Sequence, residues 1–95
     1  MKIDYSPESI EDLIRLRAFI ETEYPLAARR IANTILEGVD KLKIFPRMGL
    51  PVHQAPDPEL IRDLYIGQYT IRYLVSKKMV YILRIWHGKE IEKDL

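Results

Sequence analysis

With 95 residues, 47% hydrophobic and 31% charged, the chain has room for one small core and too many aliphatic residues for disorder, so a single domain over residues 1–95 is expected. It has no cysteine, which excludes disulfides and thiolate metal sites, and no apolar run long enough for a bilayer span or a secretory signal, so a cytoplasmic protein without a membrane role is expected. The net charge of +1 hides an asymmetry: residues 1–60 carry 8 Lys/Arg against 10 Asp/Glu and residues 61–95 carry 7 against 4, a milder basic bias than phosphate-binding proteins show, so nucleic acid is expected only as an indirect partner.

In chain order, Lys2 to Tyr5 alternates polar and apolar residues and reads as a short strand. Ser6-Pro7 follows as helix N-cap and first helical residue. In the first helix Ile10, Leu13, Ile14 and Ile20 form the expected core stripe, with Glu11, Asp12, Arg15 and Glu21 mostly outside it, and Tyr24-Pro25 ends the helix. A second helix begins at Pro25 and carries Ala28, Ile31, Ala32, Ile35, Leu36, Val39 and Leu42 at helical spacing until Pro46 stops it. Gly38, inside this helix at a propensity cost of about 1 kcal/mol, implies close approach of a neighbouring backbone, from the first helix or the sheet.

Four prolines and Gly49 make residues 46–59 an extended loop, either functional or a stiff connector. Three strands follow, over residues 60–65, 69–75 and 79–86, joined by hairpins at Gly67 and at Ser76-Lys77-Lys78. The last strand is apolar on both faces apart from Arg84 and is expected at the sheet centre.

Arg72 and Arg84 each interrupt an apolar strand, and an unpaired buried guanidinium is prohibitively costly. Each therefore snorkels to water or pairs with Asp63 or a helix carboxylate, or the two form a cationic cleft beside the C-terminal tail. His87-Gly88-Lys89 stands at the strand end, where His87 suits either a structural or an acid-base role. Tyr65, Tyr69, Tyr73 and Tyr81 suit base stacking or simple strand propensity. His53 has no companion ligands, so no metal site and no cofactor are expected.

Together, Phe45-Pro46-Arg47-Met48-Gly49, IRDLYIGQYTIRYLV and MVYILRIWHGKE resemble the RelE/ParE superfamily of toxins from type II toxin-antitoxin pairs, and the order of elements agrees over nearly the whole chain. The resemblance implies an α+β fold: an N-terminal strand, a two-helix antiparallel hairpin and a mainly antiparallel sheet (β-α-α-β-β-β) ending in a short basic tail. RNA-cleaving members use a cluster of Arg, Lys, His, Glu or Tyr, since 2′-hydroxyl attack needs a base, an acid and cations. Here Thr70 stands where such enzymes carry a phosphate-binding arginine, and Gly88 replaces a strand-end arginine or tyrosine.

The strand-end His-Gly-basic pattern resembles the ParE branch instead. That implies a non-catalytic inhibitor of DNA gyrase, neutralised by a ParD-like antitoxin in a hetero-oligomeric complex. Arg72, Arg84, His87 and Lys89 are the expected target contacts; were the chain a ribosome-dependent RNase of RelE type, His87 would be acid or base and Arg72, Arg84 and Lys89 would surround the phosphate. Leu16 and Phe19, off the helix stripe, are the expected antitoxin contacts or, equally, core residues, and an inactive, antitoxin-bound relic is the third reading.

Overall fold

The computed structural model describes residues 1–90, so the expected basic tail lies outside the described residues. Strand β1 (Lys2–Tyr5) leads into helix α1 (Pro7–Glu23), which is followed by α2 (Ala28–Asp40) and a 3₁₀ turn (Lys41–Lys43). Strands β2 (Leu50–Pro51), β3 (Ile61–Ile66), β4 (Tyr69–Val75) and β5 (Met79–His87) complete a sheet of order β1-β5-β4-β3-β2. β1 runs parallel to β5 and the other pairs are antiparallel, which is the expected α+β arrangement.

Central place in the sheet falls to β4, not to β5 as its sequence suggested. β4 is buried along almost its whole length, whereas one edge of β5 is covered only by the four residues of β1. β2, hidden among the prolines of the loop, is a two-residue edge strand that pairs Leu50 with Asp63 and Pro51 with Arg62. Proline is tolerated there because an edge strand needs no inward N–H at that position.

Helix α1 keeps Ile20, and Leu13 in part, from the expected core stripe but not the rest of it. Ser9, Asp12, Leu16 and Ile20 face inward, while Ile10 and Ile14 are exposed. The helix is rotated so that Asp12 reaches the sheet and Leu16 enters the core, while Ile10 and Ile14 turn outward. In α2 the inward residues are Ile35 and Val39, followed by Leu42 in the 3₁₀ turn; Ala32 and Leu36 remain outside. These side chains close over Ile71, Tyr73, Val80, Ile82 and Ile85 of the sheet. Each contributes roughly 1.5–3 kcal/mol through burial of apolar surface.

Gly38 is close to a neighbour as expected, but that neighbour is a side chain: a methyl group there would overlap Ile66 of β3. The β3–β4 hairpin turns on Gly67, whose φ of +57° is the left-handed value that glycine adopts without steric cost. The proline loop is a pinned connector. Arg62 donates to the Gly49 carbonyl at 2.9 Å and to the Glu59 carboxylate at 2.9 Å, and the buried Tyr73 hydroxyl accepts from the Gly49 N–H at 2.9 Å.

Candidate functional site at the end of strand β5

β1 accompanies β5 only as far as the Tyr5–Ile82 pair. Beyond it, no strand lies on that side among the described residues, so the outward N–H and C=O groups of Leu83, Ile85 and His87 need other partners. Side chains supply them. Ser6 Oγ, which also caps α1 by accepting from Ser9 N, donates to the Leu83 carbonyl at 2.9 Å. Asp12 accepts from Ile85 N at 2.9 Å, Arg15 donates to Ile85 O at 3.1 Å, and Glu90 accepts from His87 N at 2.9 Å. A register shift between β4 and β5 at Arg72/Tyr73 leaves one extra residue on β5 at this point.

The same groups form a chain of alternating charge. Arg84 donates to both oxygens of Asp12, at 2.9 and 3.0 Å; Arg15 pairs with Asp12 and with Glu90, the latter through Nε at 2.8 Å. Burial alone would raise the Asp12 pKa, but the hydrogen bonds from Arg84, Arg15 and Ile85 N overcome it and hold the carboxyl at about 2. Arg84 is held above its ordinary pKa chiefly by its bond to Asp12.

His87 is 2% exposed, with its ring packed 5.0 Å from Phe19 and edge-on to Tyr69 at 4.9 Å between centroids. Its Nδ1 accepts from Lys89 N at 2.9 Å, so this nitrogen carries no proton in the tight turn after the strand. Gly88 N extends the β4 side by donating to Gln68 O at 2.7 Å. Burial raises the Tyr69 pKa, and its hydroxyl is the buried side-chain polar atom left without a partner among the described residues. Lys89 is exposed.

On β4, Arg72 meets Asp63 of β3 through two bonds of 2.8 and 2.9 Å, and its guanidinium lies 5.1 Å from the centroid of Trp86. Both partners of the pair are buried. The pairing alternative raised by the sequence is therefore the one observed: Asp63 for Arg72, and a helix carboxylate, Asp12, for Arg84. No open cationic cleft forms from these two. Thr70 is buried opposite Trp86.

Of the four expected target contacts, Arg72 and Arg84 are cross-strand neighbours on β4 and β5, His87 ends β5 with its ring on the helix face, and Lys89 follows in the turn. Arg72 and His87 are buried and do not present their side chains to a partner in this conformation. Leu16 requires a correction: at 1% exposure it belongs to the core between α1 and the sheet and offers no docking surface. Phe19 is half-buried against His87.

The sequence reading missed Asp12, Arg15 and Glu90 as partners of the strand end. The available signal was the inward spacing of Ser9, Asp12, Leu16 and Ile20, together with the need of Arg84 for a carboxylate. Among the described residues no cluster of His, Asp or Glu is suited to hold a metal, and no helix is long and apolar enough to cross a membrane.

A short parallel strand, two helices and an antiparallel sheet are the arrangement expected of the RelE/ParE class of toxin folds. The family described as "ParE toxin of type II toxin-antitoxin system, parDE" matches residues 3–92, and the chain belongs to it. It is thus a toxin of the type II toxin-antitoxin class. The chain is 32% identical over 83 residues to Toxin RelE2 of Caulobacter vibrioides, covering 87% of this chain and 90% of that protein. Its fold matches a chain of the chromosomal ParDE TA system from P. aeruginosa with a TM-score of 0.76, at 19% identity and over 94% of this chain and 97% of that one.

Proposed function

We propose that this toxin inhibits DNA gyrase without cleaving RNA itself, and that a ParD-like antitoxin neutralises it in a hetero-oligomeric complex. The observation that carries the reading is the match to ParE toxins over residues 3–92, which includes the strand-end His87-Gly88-Lys89. The chemistry of the site supports it. RNA cleavage needs cations and a proton carrier facing a scissile phosphate. Here Arg72 and Arg84 are committed to Asp63 and Asp12, and His87 is packed between Phe19 and Tyr69. In this reading Lys89, with the accessible part of Arg84, contacts gyrase, while Arg72 and His87 position the strands that carry them.

The test is a supercoiling and DNA-cleavage assay with purified gyrase and this protein, run beside a translating extract probed for mRNA cuts. Stabilised gyrase–DNA breaks with intact mRNA are expected. Codon-positioned cuts with unaffected gyrase would replace the reading with a ribosome-dependent RNase. Growth unaffected by expression of the toxin alone would mark an inert relic.

A further inference from the structure

A run of large exposed apolar side chains occupies the connector between α2 and β3, while others, among them Ile14, Leu26 and Tyr65, stand elsewhere on the surface. Ile44, Phe45, Met48, Leu50 and Leu60 all fall between the end of the 3₁₀ turn and the start of β3, with Ile44 74% and Phe45 59% exposed. Two adjoining depressions open there and share Pro46 and Arg47. One, of about 360 Å³, is lined by Ile44, Phe45 and Met48; the other, of about 520 Å³, reaches Leu60, Leu74 and Val75. An apolar surface this concentrated is the mark of an interaction site.

Folding does not require these side chains to be displayed. The core closes without them, and Arg62 and Tyr73 hold the loop from its other side. The turn itself is set: the N–H groups of Ile44 and Phe45 both donate to Lys41 O, at 3.1 and 2.9 Å, and Met48 N donates to Phe45 O at 3.2 Å. A surface ordered before binding loses less entropy on association.

The charged lining has one sign. Arg47 and Lys77 border the larger depression, Arg47 borders the smaller, and among the described residues no carboxylate lines either. Glu59 approaches Arg47 only to 3.9 Å, and its closer partner is Arg62 at 2.9 Å. A second copy of this chain would bring like charges together across the contact. Nucleic acid is a poor match as well, because the lining is mainly aliphatic, with one aromatic ring and two cations.

We propose that this face receives an acidic segment of the antitoxin, which sets one apolar side chain in each depression and a carboxylate on Arg47 between them. The assignment rests on the antitoxin reading above. The probe is the small antitoxin reading frame beside this chain's own gene, purified and also co-expressed with the toxin. Phe45→Glu and the double variant Arg47→Glu/Lys77→Glu are compared with wild type, with circular dichroism confirming the fold.

Each variant is expected to arrest growth that the antitoxin no longer relieves, and to bind it roughly 30-fold or more weakly, the scale of a lost hot spot. For wild type, binding should weaken with added salt, and the double variant should lose much of that dependence. Unchanged rescue and affinity would overturn the assignment. Loss of growth arrest in the folded variants would also overturn it, since the face would then serve the target. A wild-type protein that neither arrests growth nor binds the antitoxin would instead remove the reading on which the assignment stands.

Discussion

Replacing Asp12 by Asn tests the charge chain at its centre. The carboxylate is 1% exposed and accepts from Arg84, Arg15 and the Ile85 N–H. The amide keeps the shape but faces guanidinium groups with its own donors. Hydrogen bonds to charged groups contribute about 1.5–3 kcal/mol each. Arg84 and Arg15 are partly solvated and recover some of the loss, which leaves a cost of about 3 kcal/mol.

The pKa gives a second route to the same quantity. A fall from 3.8 to about 2 corresponds to about 2 kcal/mol at neutral pH. For a domain of this size, 2–3 kcal/mol lowers Tm by roughly 10–20 °C. The sign of the pH dependence follows from the lowered folded-state value. The contribution is complete well above 3.8, falls as pH drops below it and is gone below about 2. Thermal unfolding of wild type and Asp12→Asn between pH 7 and pH 2 should therefore show a wide gap that closes toward the acid end. A gap under about 2 °C at pH 7, or one that does not change with pH, would refute the anchoring role.

Leu16→Ala should cost about 2–5 kcal/mol in urea unfolding, as a core truncation does; a near-neutral effect would return Leu16 to the surface. Asp63→Ala removes the carboxylate that faces the buried Arg72 guanidinium and should cost about 3–5 kcal/mol, whereas the double variant Asp63→Leu/Arg72→Met should recover most of that loss, and additive losses would deny the pairing. Gly49→Ala should destabilise by about 2 kcal/mol, because a methyl there would stand 2.7 Å from the Tyr73 hydroxyl and 2.9 Å from the Asp63 carbonyl; chemical denaturation reads the change. Lys89→Glu should leave stability within about 0.5 kcal/mol and weaken the effect on gyrase, and an unchanged cleavage assay would count against Lys89 as a contact.

What the sequence disclosed followed the strength of its local signals. Ser6-Pro7 marked the start of α1 because capping and fixed φ act over a few residues, and Gly67 marked its hairpin for the same reason. Strand limits differ from expectation by a residue or so. The rotation of α1 was not legible, because hydrophobic spacing counts isoleucines and cannot see that Asp12 will be held by an arginine 72 positions away. The same long separation concealed Glu90, which is set against Arg15 only once the sheet is built. β2 was hidden because two residues beside a proline carry no strand signal of their own. The pairing of Arg72 and Arg84 was legible as a need for carboxylates, but the choice of carboxylate is made by the fold.

The helix side chains that complete β5 also bear on how the chain is made. Asp12 meets the Ile85 N–H across 73 positions of sequence, and it leaves the ribosome well before its partner. The apolar stretch around Ile85 and Trp86 comes among the last described residues, and its open edge is a ready template for pairing with other nascent chains. A helix that has already formed offers hydroxyl, carboxylate and guanidinium groups to that edge as it emerges. Protection against misassociation thus travels ahead of the segment that needs it, and a chain lacking Asp12 would be vulnerable to aggregation during synthesis even at temperatures where its finished fold survives.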